Sequence, residues 1–154
     1  MKVAFFHGLD SEPITQKNII LREVFDEVYD PFMDYRNNPN LFNEVLDYLK
    51  DNPVDLIIGS SMGGYFAYCL STHLGTRTLL FNPAMHSRPI EPTISLGDKV
   101  ANHYVILGKN DDVIDPIKTI EWFNESENVI FEIENMGHVI DLNIFKKYLM
   151  NYKF

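Results

Sequence analysis

A serine between glycines, a histidine behind a glycine and a loop of aspartates are the residues whose types and spacing can be joined into one chemistry. Ser61 sits in Leu56-Ile57-Ile58-Gly59-Ser60-Ser61-Met62-Gly63-Gly64, where a short apolar run gives way to a helix-compatible pattern. Glycine two residues before and two residues after a serine is the signature of a nucleophile elbow, a sharp strand-to-helix turn that presents the hydroxyl. The turn strains the serine backbone, and its neighbours must lack side chains that would strike the adjacent strand and helix. The same framing rejects Ser60, which would need glycine where the chain has Ile58 and Met62. The competing reading is a tight βα turn in which Ser61 only caps the helix.

Nucleophilic attack by Ser61 on an acyl carbon needs a base, and the base needs a carboxylate to orient it and to stabilise its cationic form. His138 follows the last expected strand in Asn135-Met136-Gly137-His138, which makes it the candidate among five histidines. His73 lies near a helix C-terminus, His86 and His103 have no motif around them, and His7 belongs to the first loop, where it can support loop geometry. The carboxylate comes from Gly108-Lys109-Asn110-Asp111-Asp112, with Asp115 in the same loop. Asp115 precedes Pro116 and reads as a helix N-cap. Asp111 leaves the shortest turn off the strand end and is favoured over Asp112. The resulting order along the chain, Ser then Asp then His, is the one used with nucleophile elbows. Two backbone N–H groups must face the developing oxyanion; Met62, just after the serine, and Leu9, after His7-Gly8, are the natural pair. Tyr65, Phe32, Met33, Met85 and Ile90 are candidates for the substrate pocket, and His7 for its edge, with core packing as the alternative for several.

The elements that must carry these residues alternate. Strands are expected over 2–6, 28–33 (weakened by Pro31), 54–58, 76–81, 103–107 and 128–133. Helices are expected over 14–25, with Pro13 in the first turn, then 41–50, 62–73, 116–123 and 142–152. Residues 82–99, with Pro83, Pro89 and Pro92, are the most irregular stretch. Such alternation predicts an α/β fold with about six mostly parallel strands, helices on both faces, and one domain over 1–154. Sheets of this kind carry their sites beyond the carboxyl ends of the strands.

Composition bounds the partners. The 13 basic and 22 acidic residues give a net charge of −9, which suits neither nucleic acid nor an anionic membrane. A single cysteine, Cys69, excludes an intrachain disulfide and a multi-cysteine zinc site, and reads as a small buried hydrophobe. No apolar run is long enough to span a bilayer, and Met1-Lys2-Val3 leads into a strand, so a soluble, cytoplasmic protein without metal or cofactor is expected. Gly-x-Gly-x-x-Gly and P-loop patterns do not occur, which ranks a flavodoxin-like nucleotide binder last.

Several blocks together resemble the α/β-hydrolase superfamily, and within it the small YqiA-type bacterial esterases. They are Phe6-His7-Gly8-Leu9-Asp10-Ser11-Glu12-Pro13 with Lys17 beyond, Gly59-Ser60-Ser61-Met62-Gly63-Gly64-Tyr65, Phe81-Asn82-Pro83-Ala84, then Gly108, Asp111, Val113, Ile114 and Asp115, and finally Gly137-His138. The resemblance implies a three-layer sandwich with a minimal lid. It also implies a serine esterase-like hydrolase with Ser61, Asp111 and His138 as its triad, acting on small acyl esters or thioesters. Two departures from the wider superfamily stand out: two leading antiparallel strands are absent, and residues 82–99 replace the lid of larger relatives. An acyltransferase or lactonase with the same triad, or a non-catalytic binding module on the same fold, are the rival expectations.

Overall fold

Side chains along the central strands alternate between two buried clusters, which is why helices cover both faces of the sheet. A computed structural model describes residues 1–11, 15–124 and 126–152. Its strands are β1 (Lys2–Phe6), β2 (Glu27–Tyr29), β3 (Leu56–Ser60), β4 (Thr78–Phe81), β5 (His103–Gly108) and β6 (Val129–Glu134). Its helices are α1 (Gln16–Val24), α2 (Leu41–Asp51), α3 (Met62–Leu74), α4 (Pro116–Phe123) and α5 (Leu142–Asn151). On one face Ala4, Phe6, Ile57, Leu80 and Val105 pack against Leu46 and Leu49 of α2, Phe66 and Leu70 of α3 and Phe123 of α4. On the other, Val3, Phe5, Ile58, Phe81 and Ile106 pack against Leu21 of α1 and Phe145 and Leu149 of α5.

The strand order is β2-β1-β3-β4-β5-β6, and every pairing is parallel. The order reverses between β1 and β3, so a crevice opens at their carboxyl ends. Register places Phe6 beside Gly59 and Ser60 beside Phe81. The three ends that surround the elbow therefore finish at one level.

The second strand is shorter than the sequence suggests. It pairs with β1 only over Glu27–Tyr29, because Pro31 has no N–H to donate and restricts the residue before it. That residue, Asp30, is instead held by Asn18 and by both nitrogens of the Arg22 fork at 2.6–2.7 Å. Beyond it the chain turns inward, burying Met33 while Phe32 stays 60% exposed. The expected helical position of Pro13 and the start at residue 14 lie outside the described residues.

Between β4 and β5 the chain forms neither helix nor strand. It is fastened to α3 instead. Gly97 donates its N–H to Thr72 Oγ1, Lys99 donates to the Thr72 carbonyl, and His73 Nε2 meets the Ser95 carbonyl at 2.9 Å. Arg88 donates to the carbonyls of Ala84 and Met85 and lies 3.8 Å above the Tyr65 ring. Among the described residues no helix is long and apolar enough to cross a membrane.

Candidate active site

Ser61 joins β3 to α3 with φ 54 and ψ −119, a conformation that non-glycine residues rarely adopt. Backbone contacts hold it there. Its N–H donates to the Phe81 carbonyl, and its own carbonyl accepts from the N–H groups of Gly64, Tyr65 and Ala84. The flanking glycines are required sterically: a Cβ on Gly59 would overlap the carbonyl of Gly63, and one on Gly63 would overlap the carbonyls of Phe6 and His7. The strained serine is thus wedged between β1, β4 and the first turn of α3.

From Ser61 a line of hydrogen bonds runs across the strand ends. His138 Nε2 lies 3.0 Å from Ser61 Oγ, and His138 Nδ1 lies 2.9 Å from Asp111 Oδ2. With the carboxylate accepting from Nδ1–H, Nε2 is left to accept the serine proton, a tautomer assigned from these partners. Asp111 Oδ1 accepts the N–H groups of Val113 and Ile114 at 2.9 and 2.8 Å, so the loop after β5 grips the carboxylate from behind. The Asp111 side chain is 1% exposed and that of His138 23%, leaving only the imidazole facing solvent. Asp112 is exposed beside this pair, and Asp115 caps α4 by accepting from Ile117 and Lys118.

Asn82 entered the sequence reading only as part of the Phe81-Asn82-Pro83-Ala84 block, with no role assigned, yet it ties the two loops together. It takes a left-handed conformation with φ 43 at the end of β4. Its Oδ1 accepts the Gly108 N–H at 2.6 Å, and its Nδ2 donates to the carbonyls of Gly137 and His138 at 3.1 Å. One buried amide therefore sets the distance between the root of the Asp111 loop and the root of the His138 loop. The only hint in the sequence is an Asn-Pro pair closing a strand, which signals a turn and nothing more.

A cleft of about 480 Å³ opens beside the serine, lined by Gly8, Leu9, Met62, Ala84, Val113 and His138 among others. The backbone N–H groups of Leu9 and Met62 have no acceptor among the described residues, and both residues border this cleft. Met62 also begins α3, whose partial positive end favours negative charge at that point.

The remaining candidates lie elsewhere. His7 is buried, with Nδ1 2.7 Å from the Gly8 carbonyl and Nε2 accepting the Met33 N–H at 3.0 Å. Both ring nitrogens are thus spent on backbone, one in the first loop and one in the segment after β2, and the His7 carbonyl accepts from Tyr35 Oη. Met85 and Met33 are buried in the α2–α3 cluster, with Ile90 packed at its margin. Tyr65 lies under Arg88 and outside the cleft lining. The cleft wall comes instead from Leu9, Pro89, Val113, Ile114, Val139 and Ile140. Cys69 is fully buried, and burial pushes its thiol up to about 12, so it is inert at neutral pH.

Residues 2–101 match the model of an uncharacterised protein family, UPF0227, and the chain belongs to that family. A UPF0227 protein of Vibrio parahaemolyticus serotype O3:K6 is 25% identical over 162 residues, spanning 88% of this chain and 89% of its own. Among solved structures, a protein from Xanthomonas campestris pv. campestris assigned to the α/β superfamily of hydrolases superposes with a TM-score of 0.77 at 18% identity, covering 97% of this chain and 95% of that one. The esterase domain of a Rhodothermus marinus protein gives 0.70 at 12% identity, covering 97% and 82%. S-formylglutathione hydrolase from Staphylococcus aureus gives 0.68 at 16%, covering 97% and 84%. The fold is that of the α/β hydrolases, as the sequence blocks implied.

Proposed function

We propose that this chain is a serine hydrolase that cleaves small acyl esters or thioesters through an acyl-enzyme at Ser61. The observation that carries this reading is the unbroken line Ser61–His138–Asp111, ending beside two backbone N–H groups that have no other acceptor among the described residues. Ser61 Oγ adds to the acyl carbon as its proton passes to His138 Nε2. Asp111 holds the imidazole in register and stabilises its cationic form, while the N–H groups of Leu9 and Met62 receive the charge on the former carbonyl oxygen. Collapse expels the alcohol or thiol, which takes the proton from His138. Water then enters by the reverse sequence: its oxygen adds to the acyl carbon as His138 accepts its proton, the ester bond to Ser61 breaks as His138 returns that proton to Ser61 Oγ, and the acid leaves.

The fold supports the reaction class, since the Rhodothermus marinus domain is an esterase and the Staphylococcus aureus protein hydrolyses a thioester. The chain works as one domain in this reading, on a small-molecule substrate. The test is turnover of short and medium 4-nitrophenyl esters by wild type beside Ser61→Ala and His138→Ala, together with labelling of Ser61 by a fluorophosphonate. Loss of turnover in both variants and loss of labelling in the first are expected. Wild-type turnover that persists in Ser61→Ala overturns the assignment. No turnover and no labelling in wild type would favour a binding module.

A further inference from the structure

The cleft beside Ser61 holds a charge that acyl transfer does not use. Lys17, on α1, is the single lysine or arginine among the described residues lining the cleft. It also lines an adjoining cavity of about 300 Å³, together with Thr15 and Gln16. Ser11, Ser60, Val139 and Ile140 border both spaces, so Lys17 stands where they meet.

Most cations of the molecule are answered by a neighbour. Arg22 pairs with Asp30, Arg36 with Asp10, Arg88 with Glu91, Lys146 with Glu23 and Lys147 with Glu134. Lys17 has no carboxylate within ion-pair distance among the described residues. Asp10, the one carboxylate lining the cleft among the described residues, is engaged by Arg36 at 3.0 Å. The Lys17 ammonium lies 6.0 Å from the centre of the Phe145 ring, and burial lowers its pKa from the ordinary lysine value. An ammonium drawn partly out of water and left without a counter-charge is a cost that an arriving anion would offset. The point matters more here because the chain carries a net charge of −9, which repels anionic molecules at long range.

We propose that Lys17 is a recognition site for an anionic group on the substrate. Resting on the serine-hydrolase reading, the substrate is then a small ester or thioester that carries a second, free oxyanion group, a carboxylate or a phosphate. Its reacting carbonyl meets Ser61, its apolar part lies along Leu9, Val113 and Ile140, and its anion reaches the junction of the two cavities. The lysine acts there as a point charge on a flexible stem, with the hydroxyls of Ser11 and Thr15 on the same walls.

The experiment compares kcat/KM for mono-4-nitrophenyl adipate and 4-nitrophenyl hexanoate in wild type, Lys17→Met and Lys17→Arg. Both esters are read on one preparation, so their ratio is indifferent to how much of a variant folds. The expected result is a wild-type preference for the adipate that falls roughly 10- to 100-fold in Lys17→Met, the range of a hydrogen bond to a charged group, and that returns in Lys17→Arg. The preference also shrinks as salt is raised. A ratio in Lys17→Met within about twofold of wild type overturns the proposal, twofold being well below any charged hydrogen bond. Protection of Ser61 from the fluorophosphonate by adipate or by inorganic phosphate distinguishes the two oxyanions, and protection by neither overturns the proposal. Absence of both turnover and labelling removes the hydrolase reading itself, whereas turnover of both esters at a ratio near one removes only the role of Lys17.

Discussion

The elbow that carries Ser61 and the loops that carry Asp111 and His138 are positioned by different forces. At the elbow, backbone meets backbone with no room for a Cβ on Gly59 or Gly63, and the serine's strained dihedral is held by β1, β4 and α3 together. The two loops are held by side-chain hydrogen bonds: Asp111 gripping its own turn, and Asn82 bridging the two roots. Steric placement is all-or-none, because overlap with a carbonyl is relieved only by moving a strand. Placement by hydrogen bonds is graded, because each bond can lengthen or be lost singly. In the serine-hydrolase reading, a nucleophile placed one way and an acid–base pair placed the other should answer differently to mutation.

The largest effect on turnover is expected from Asp111→Asn, which preserves the shape but not the tautomer of His138. Such a change lowers kcat by roughly 10⁴ where the triad is well described. Asp112→Asn beside it should leave kcat within about twofold, since a surface substitution of this kind seldom shifts free energy by more than about half a kcal/mol. Equal losses in the two would break the assignment of the carboxylate.

Gly63→Ala tests the steric side. Overpacking against backbone should cost more than about 3 kcal/mol of stability, seen as a lowered denaturant midpoint or as insoluble protein. A variant as stable as wild type would show that β1 and α3 can part.

Asn82 sharpens the graded side. Asn82→Gly keeps the left-handed backbone and deletes the three hydrogen bonds, so it should lower kcat with KM little changed and cost about 1–3 kcal/mol of stability. Asn82→Ala adds backbone strain, and should lose more stability than Asn82→Gly with a similar kcat. A fall in stability alone, with kcat intact, would make Asn82 a fold residue only.

The smallest effect on turnover belongs to a histidine outside the site. His103 is buried beside Thr78 and the Tyr68 ring, and burial lowers its pKa from 6.5 to about 4. The unfolded chain takes up a proton near 6.5 while the folded chain refuses it until about 4. Stability from this group is therefore complete above about pH 6.5 and is withdrawn as pH falls to about 4, by on the order of 3 kcal/mol. The gap between denaturant midpoints at pH 7 and pH 4.5 should narrow in His103→Gln, while the Ser61–His138 line is untouched. An unchanged gap would mean that other groups carry the acid sensitivity.

These contrasts also explain what could be read in advance. Glycines carry backbone demands in their identity, so Gly59 and Gly63 announced the elbow. The alternation of apolar runs announced the six strands and five helices. The end of β2 depended on whether Asp30 would pair with the sheet or with Arg22, a competition that periodicity does not register. The job of Asn82 depends on meeting the last residue of β5 and residues after β6, a meeting created only by the register of three strands. His7 and Tyr65 are ring-bearing residues near the site whose partners, Met33 and Arg88, come from loops with no pattern of their own.

The serine directly follows β3, in the middle of the sheet, while the histidine that touches it comes after β6. The helix that follows, α5, packs Phe145 against Phe5 of the first strand and Phe81 of the fourth. Parallel pairings close long loops and form slowly. In the serine-hydrolase reading, a chain emerging during synthesis therefore carries its nucleophile for many residues before it carries a base, and Phe5 of β1 meets Phe145 only once α5 has been made. In that reading Ser61 gains its base only when the segment after β6 has been made and docked, so labelling of Ser61 reports that this side of the sheet has closed.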